Sequence, residues 1–599
     1  MAGKRIIIIG GVAGGASAAA RARRLSEEAE IIVVERGPYV SFANCGLPYV
    51  VGGEIAEENT LLIQTPDSLR DRFNLDVRVL TEAVCIDRQA QHIELHELTS
   101  DACYREAYDA LVLATGATPL KPPIPGIAHP GHFTVRTMLD VESMIAWIED
   151  RPVRRAVVVG GGYIGLEMVE QLQRRGLAVA LAEALPQVMA PLDPEMAAWL
   201  HEELRAHGVT LHLGDGVAAF EVPQAGEAAA VSVVVLKSGT RLPADIVILG
   251  LGVRPEVDLA RKAGLEIGEE GGIRVNEQLQ TSDPHIWAVG DAVEVRHAVT
   301  GAWSLIPLAG PASRQGRTAA DNIFGRPSRD KGTWATAILR LFDLTAACTG
   351  ASEKTLRHAG IPFEVIHLHP DSHAGSSPGA SPIALKLLFA PDTGKLLGAQ
   401  AVGGEGVDKR IDVLATALQA GMSVHDLAAL ELAYAPPLGA AKDPVNLAGM
   451  IAQNILAGDI NVMQWHEIAD LAPHKRVILD VRDNAERQQG SIPGSVHIPL
   501  PQLRSRLSEL PRDCEIIPYC RSGQRSYDAC RILSQHGFRV RHLTGSYRTW
   551  PMATVRRNMG HCSDLAEPPP GLARRMRPGV PCRGTDRSGM ARTYGCRPP

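Results

Sequence analysis

Aromatic residues make up only 4% of the 599, which excludes the stacking platforms that bind single-stranded nucleic acid. No uninterrupted apolar run reaches the ~18 residues that a membrane-spanning helix needs, so no membrane partner is expected. A surplus of one charge is missing too. The chain has 61 basic and 67 acidic side chains, a formal charge of −6, so it cannot bind nucleic acid or an anionic membrane by bulk attraction. Its ten cysteines include no C-x-x-C pair and no zinc-ligand spacing, so no metal is expected. A chain this long does not need disulfide staples, which makes the reducing cytoplasm the expected compartment. Lys4 and Arg5, followed by apolar and small residues, imitate a secretory leader until Arg21, Arg23 and Arg24 break the pattern. Positive charge is concentrated in residues 552–599, with nine arginines against three acids beside seven prolines and six glycines. Over 554–599 this reads as a disordered basic tail, and no function is assigned to it.

What the chain does have is glycine turns after apolar runs. Arg5-Ile6-Ile7-Ile8-Ile9 reads as a strand buried on both faces. Gly10, Gly11, Val12, Ala13, Gly14 and Gly15 follow, then an alanine-rich helix to Leu25 and a second strand over 31–34 that ends at Glu35. The small residues let a pyrophosphate approach the helix N-terminus, and Glu35 can hold a ribose hydroxyl. Val12 stands at the usual second-glycine position.

The pattern recurs. Ala156-Val157-Val158-Val159 leads into Gly160, Gly161, Gly162, Tyr163, Ile164 and Gly165, which fit G-x-G-x-x-G. A helix follows to about Arg175, then a strand over 178–182 that ends at Glu183. A carboxylate there accepts from a free 2′-hydroxyl and repels a 2′-phosphate, so NADH is preferred over NADPH. Two further strands end in a turn at Thr115-Gly116 and in an acid at Asp291.

In this order the motifs of residues 1 to about 450 resemble the two-dinucleotide flavoprotein disulfide reductases. The resemblance implies FAD at Gly10, Gly14, Gly15, Glu35, Thr115, Gly116 and Asp291, and NADH at Gly160, Gly162, Gly165 and Glu183. After the second strand comes Ser41-Phe42-Ala43-Asn44-Cys45-Gly46-Leu47-Pro48-Tyr49. Glutathione-reductase-like members carry two cysteines here; this chain carries one. A lone redox cysteine cannot close an internal disulfide, so it must cycle through a mixed disulfide, a sulfenic acid or a persulfide. The bland alternative is a packed structural thiol.

The Ser41–Tyr49 stretch is similar to the branch holding coenzyme A-disulfide reductases, NADH oxidases, NADH peroxidases and NADH-dependent persulfide reductases, and Val12 matches that branch. The likeness implies coenzyme A as a candidate ligand of Ser17, Arg24, Ser41, Asn44 and Lys442, with Tyr434 reaching the cysteine region from a second subunit. Cations suit a 3′-phosphorylated ADP, and a phenol can protonate a departing thiol. Ser376, Ser377, Leu438 and Ser313 stand where family members often carry tyrosines or a histidine, which implies a wider pocket around the sulfur bridge.

Further on, Arg476-Val477-Ile478-Leu479-Asp480-Val481-Arg482 and Ile492-Pro493-Gly494 precede an apolar strand over 515–519. That strand delivers Cys520, Arg521, Ser522, Gly523, Gln524, Arg525 and Ser526 into a helix beginning near Tyr527. Loop amides, the helix dipole and two arginines put positive potential at Cys520, which favours the thiolate. This unit resembles a rhodanese domain over about 463–553, whose loop cysteine carries a persulfide. Arg521, Ser522, Gly523, Gln524 and Arg525 would bind its substrate, and a phosphatase loop is the rival reading. Cys514 and Cys530 read as packed thiols.

The expected architecture is α/β throughout. It comprises an FAD unit over 1–120 and 250–325, an NAD unit over 121–249, an α+β dimerisation unit over 326–450, a linker over 451–462 and a rhodanese unit over 463–553. The expected activity is an NADH-dependent reduction of persulfides or polysulfides through Cys45, with Cys520 handling sulfane sulfur in a homodimer. The alternatives are a coenzyme A-disulfide reductase, an NADH oxidase or peroxidase, and a non-catalytic sulfur relay.

Overall fold

The computed structural model describes residues 3–221 and 231–554; the tail beyond 554 lies outside the described residues. In the first sheet, strands Ile286–Ala288, Ala110–Leu113, Arg5–Ile9, Glu30–Val34 and Asp76–Arg78 lie side by side in that order, all parallel. Ile6, Ile7 and Ile8 are fully buried, as their unbroken apolar run requires of a strand covered on both faces. Strand Ile286–Ala288 joins this sheet although a whole second unit separates it in sequence from Ala110–Leu113. Helix Ala13–Leu25 packs on helix Ala309–Ile323 at backbone distance. A Cβ on Gly316 would lie 2.2 Å from the Gly14 carbonyl oxygen, so only glycine permits this approach.

The second sheet repeats the first, with Thr210–Leu213, Ala178–Glu183, Arg155–Val159, Ile246–Leu249 and His132–Phe133 again all parallel. The third unit is a five-stranded antiparallel sheet in the order Ala337–Leu341, Leu344–Gly350, Leu396–Gly403, Ile383–Phe389 and Glu364–Leu368. Helix Val407–Gln419 covers it. Helix Pro444–Leu456 runs six residues into the stretch read as a linker and packs on helix Val424–Ala429. Gly449 makes that approach possible, because a Cβ there would lie 2.5 Å from the Ala428 amide nitrogen.

The fourth unit centres on the parallel strands Val496–His497, Arg476–Asp480, Glu515–Tyr519 and Arg539–Val540. Val462–Met463 already pairs with its strand His542–Leu543. Its main helix spans Gln524–Gln535, three residues earlier than the sequence placed it, because Gly523 turns the chain at φ +116°. This unit docks on the edge strand Glu364–Leu368 of the third. The His367 amide donates to Thr544 Oγ1 (2.8 Å), the Gly545 amide donates to the His367 carbonyl (3.1 Å), and Gln464 Nε2 donates to the Val365 carbonyl (2.9 Å). An edge that would otherwise be open is thereby paired.

Candidate functional site

Both glycine turns have the same atomic construction. A Cβ on Gly15 would lie 1.8 Å from the Gly10 carbonyl oxygen, and one on Gly165 would lie 1.9 Å from that of Gly160. The third glycine therefore seats the helix on the turn, while Gly10 and Gly160 take φ +97° and +106°. At the strand ends, Glu35 accepts from the amides of Gly11 and Gly37, both at 2.9 Å. Glu183 likewise accepts from Gly161 and Leu185, both at 2.7 Å. Each carboxylate is thus fixed beside its turn, where a ribose would lie.

A cavity of about 1300 Å³ runs from the first turn along Gly10, Gly14, Glu35, Thr115, Gly116 and Asp291. Thr115 Oγ1 donates to the Glu256 carbonyl (2.6 Å), tying the two halves of the first unit together. Gly116, at φ +72°, leaves room for Arg136, whose Nη2 would sit 2.7 Å from a Cβ there. Burial pushes the Asp291 carboxyl up, partly offset by Arg136. Among the described residues no side chain or amide hydrogen-bonds to Asp291, so a partly buried acceptor faces the cavity unpaired. That orphaned carboxylate, the glycine cradle and the anchored Glu35 fit FAD, whose polyol chain supplies hydroxyl donors. At the second turn a Cβ on Gly162 would meet nothing within 4 Å. This open space before helix Tyr163–Arg174, next to Glu183, fits NAD(H).

Cys45 lies in the short turn Asn44–Gly46, exposed, directly after the cavity-lining Asn44. Its thiol is pushed up by burial of its surroundings and then by the carboxylates of Glu167 and Asp291. Glu167, unnoticed in the sequence although it follows the second fingerprint by two residues, is itself raised to about 7, mainly by burial. It accepts from Tyr49 Oη at 3.4 Å. Cys85 and Cys103 lie exposed on strands Thr81–Asp87 and Ala102–Ala107, and Cys348 is buried, its thiol pushed up to about 11 by burial. None of them stands in the Cys45 turn.

Ser17 and Arg24 share one face of helix Ala13–Leu25, and the exposed Arg24 guanidinium lies over the Phe73 ring at 5.2 Å. Ser41 is buried in left-handed backbone (φ 51°), its amide donating to the Gly11 carbonyl at 2.8 Å. Tyr434 and Lys442 are exposed on a loop of the third unit and do not line the cavity of their own chain.

In the fourth unit Cys520 is buried at the end of strand Glu515–Tyr519. Its sulfur accepts from the Gly523 amide (3.1 Å) and from Ser526 Oγ (3.5 Å). Ser522 and Gly523 are partly buried, while Arg521 and Gln524 are exposed. Arg525 commits both guanidinium edges to Glu486, each contact 2.7 Å. The Asp480-Val481-Arg482 stretch forms a buried pair, with Arg482 Nη2 2.8 Å from Asp480 Oδ2, and Tyr519 Oη donates to the same oxygen. This pair holds the loop's base rather than its mouth. Cys514 and Cys530 are packed thiols as expected, and burial pushes the latter's thiol well up.

Among the described residues no helix is long and apolar enough to cross a membrane. Three family models match: pyridine nucleotide-disulphide oxidoreductase over residues 4–316, its dimerisation domain over 336–444, and a rhodanese-like domain over 465–553. The NADH oxidase of Methanocaldococcus jannaschii is 36% identical over 446 residues, 74% of this chain and 97% of that protein. The coenzyme A disulfide reductase of Staphylococcus epidermidis is 33% identical over 450 residues, 75% of this chain and all of that one. The reduced Bacillus anthracis CoADR-RHD structure superimposes with a TM-score of 0.90 at 49% identity, covering 93% of this chain and 99% of that one. A NAD-dependent persulfide reductase from A. fulgidus does so at 0.85 and 39%, covering 91% and 100%. Paired dinucleotide folds, a dimerisation domain and a cysteine loop thus converge with these likenesses: the chain belongs to the flavoprotein pyridine nucleotide-disulphide oxidoreductase family and carries a C-terminal rhodanese-like domain.

Proposed function

We propose that this enzyme reduces persulfides or polysulfides with NADH. The observation that carries the reading is an exposed thiol, Cys45, next to cavity-lining Asn44 and within reach of the Asp291 charge, joined in one chain to a second cysteine, Cys520, whose sulfur accepts from a loop amide. Bound FAD would supply the two-electron relay from NADH to sulfur. The Cys45 thiolate attacks the inner sulfur of R–S–SH, forming Cys45–S–S–R and expelling HS⁻. Two electrons and one proton then return the Cys45 thiolate and release RSH. Cys520 accepts sulfane sulfur from a donor or delivers it to a carrier thiol. The A. fulgidus neighbour, named a persulfide reductase, supports this reading along 91% of the chain.

The catalytic set we propose is Cys45, Cys520 and Tyr434. Tyr434 and Leu438, 51% and 71% exposed on one loop, would reach a partner's cavity in a homodimer, where the phenol can protonate the leaving thiol. Coenzyme A, held at Ser17, Arg24, Ser41, Asn44 and Lys442, is the proposed carrier thiol. The seven cysteines among the described residues are all free, which fits a cytoplasmic setting.

Cys45→Ser should abolish persulfide-dependent NADH oxidation while sulfur loading of Cys520 continues; turnover at the parent rate would end this reading. The 49%-identical CoADR-RHD neighbour supports a second reading, coenzyme A-disulfide reduction. Comparing kcat/KM for a persulfide and for coenzyme A disulfide separates the two. Peroxide-dependent NADH oxidation lost in Cys45→Ser would instead favour an oxidase or peroxidase.

A further inference from the structure

A buried histidine, His542, stands behind the sulfur of the fourth unit, and nothing in the reaction above uses it. His542 opens strand His542–Leu543, opposite Val462, and the strand is followed by the residues that dock on the third unit. Its Nε2 lies 2.8 Å from Ser526 Oγ and 3.1 Å from the Gly523 carbonyl oxygen. Ser526, entirely buried, is also 3.5 Å from the Cys520 sulfur and 3.1 Å from Ser546 Oγ. Ser546 sits in left-handed backbone at φ 51° and accepts from the Cys520 amide at 3.3 Å. A non-glycine residue held in that conformation against a sulfur loop is strain that its surroundings must maintain.

We propose that His542 is a positioning residue for Cys520, acting through the Ser526 hydroxyl. This rests on the reading of Cys520 as the sulfur-carrying thiol and names the group that orients the hydroxyl beside its sulfur. An imidazole with its proton on Nε2 donates to the Gly523 carbonyl and to Ser526 Oγ together. That satisfies the carbonyl, which Ser526 would otherwise bond at 2.9 Å. The hydroxyl proton is then free to point at the Cys520 sulfur, where it stabilises negative charge. Burial lowers the His542 pKa to about 4, so the ring stays neutral above pH 5 and serves as a fixed donor rather than a base. The other charged or titratable groups acting on Cys520 are Arg525, paired with Glu486, and Cys530 on the helix, while Arg521 next to it is exposed. Arg548, whose amide donates to the Arg521 carbonyl, stands just beyond.

The test is the rate of iodoacetamide alkylation of Cys520 against pH in the full-length holoenzyme, resolved from the other thiols by peptide mass spectrometry. Ser526→Ala and His542→Phe should each raise the alkylation midpoint by about one pH unit. The double variant should move it no further, because both act along one path. His542→Gln, which brings an amide N–H to the same place, should return the midpoint most of the way. The proposal is overturned if His542→Phe keeps the parent midpoint while Ser526→Ala shifts it, or if a second ionisation below pH 7 is lost with His542. Should His542→Phe fail to fold, the glutamine variant decides: a midpoint shifted as far as that of Ser526→Ala refutes the role. Sulfane sulfur loading of the parent, read by cyanolysis, tests the carrier reading separately, because alkylation reports the thiolate whether or not sulfur is carried.

Discussion

Cys45 faces carboxylates, not cations. Its thiol is raised by burial and by Glu167 and Asp291, so these surroundings disfavour the thiolate, the reverse of the usual way to activate a cysteine. Glu167 makes that suppression depend on pH. With its carboxyl raised to about 7, it is neutral below pH 7 and adds a repelling charge only above it. Glu167→Gln should lower the Cys45 alkylation midpoint by about half a pH unit; an unmoved or raised midpoint would show that the carboxylate does not act on the sulfur. The sign for stability follows from the same shift. The folded chain keeps this proton to higher pH than the unfolded chain does, so the Glu167 contribution is greatest below its ordinary value of ~4.3 and declines as pH rises to about 7. The change in melting temperature from pH 5 to pH 8 should accordingly be more favourable to pH 8 in Glu167→Gln than in the parent.

At the scale of the element, the two strand–turn–helix units separate the jobs of their glycines. Gly165→Ala would set a Cβ 1.9 Å from the Gly160 carbonyl, forcing helix Tyr163–Arg174 away from its strand. It should lower the melting temperature, with a cost of about 2–4 kcal/mol in line with other strained or overpacked sites. At Gly162 the added methyl meets no protein atom. Gly162→Ala should therefore melt within a degree or two of the parent, yet raise KM for NADH about tenfold or more by blocking the close approach of the pyrophosphate. Equal effects on stability and KM in both variants would contradict this division. These units were legible in the sequence because each is local, with apolar strand, turn, helix and acid within some thirty residues. Cys45 and Cys520 were legible for the same reason. What supports them was not. Ser526 meets His542 and Ser546 across a strand and a loop, and Glu167 reaches Cys45 from another unit, pairings that no periodicity encodes. The start of helix Gln524–Gln535 was missed because a single left-handed glycine, Gly523, turns the chain at once.

Across the whole molecule, one fully buried lysine joins the units. Lys386 of the third sheet contacts Asp193 Oδ2 at 2.9 Å and also bonds Glu195 and Glu353. Asp193 and Glu195 belong to the second unit, at the head of helix Pro194–Ala206. Glu195 is bonded in turn by His367, on the edge strand that receives the fourth unit through Thr544 and Gly545. These residues come from four elements of two units, so their meeting left no trace in composition or spacing. The three carboxylates occupy themselves with the ammonium, which stands where a cation would have to enter. Pairing holds the Glu195 carboxyl well below, and the Lys386 ammonium above, their ordinary values. The carboxylate's contribution is present above ~4.3 and lost as pH falls through its depressed folded value. The ammonium's is present below ~10.4 and lost as pH rises through its raised one. The cluster is therefore at full strength between about pH 5 and pH 9. Lys386→Met removes the ammonium that Asp193, Glu195 and Glu353 share, at a cost of about 3–5 kcal/mol, and takes away the charge that holds the Glu195 carboxyl down. Urea unfolding of this variant should show stability rising as pH falls from 8 to 5, a range in which the parent's Glu195–Lys386 pairing is at full strength. A variant that loses stability equally at both pH values would mean that the lysine only fills space.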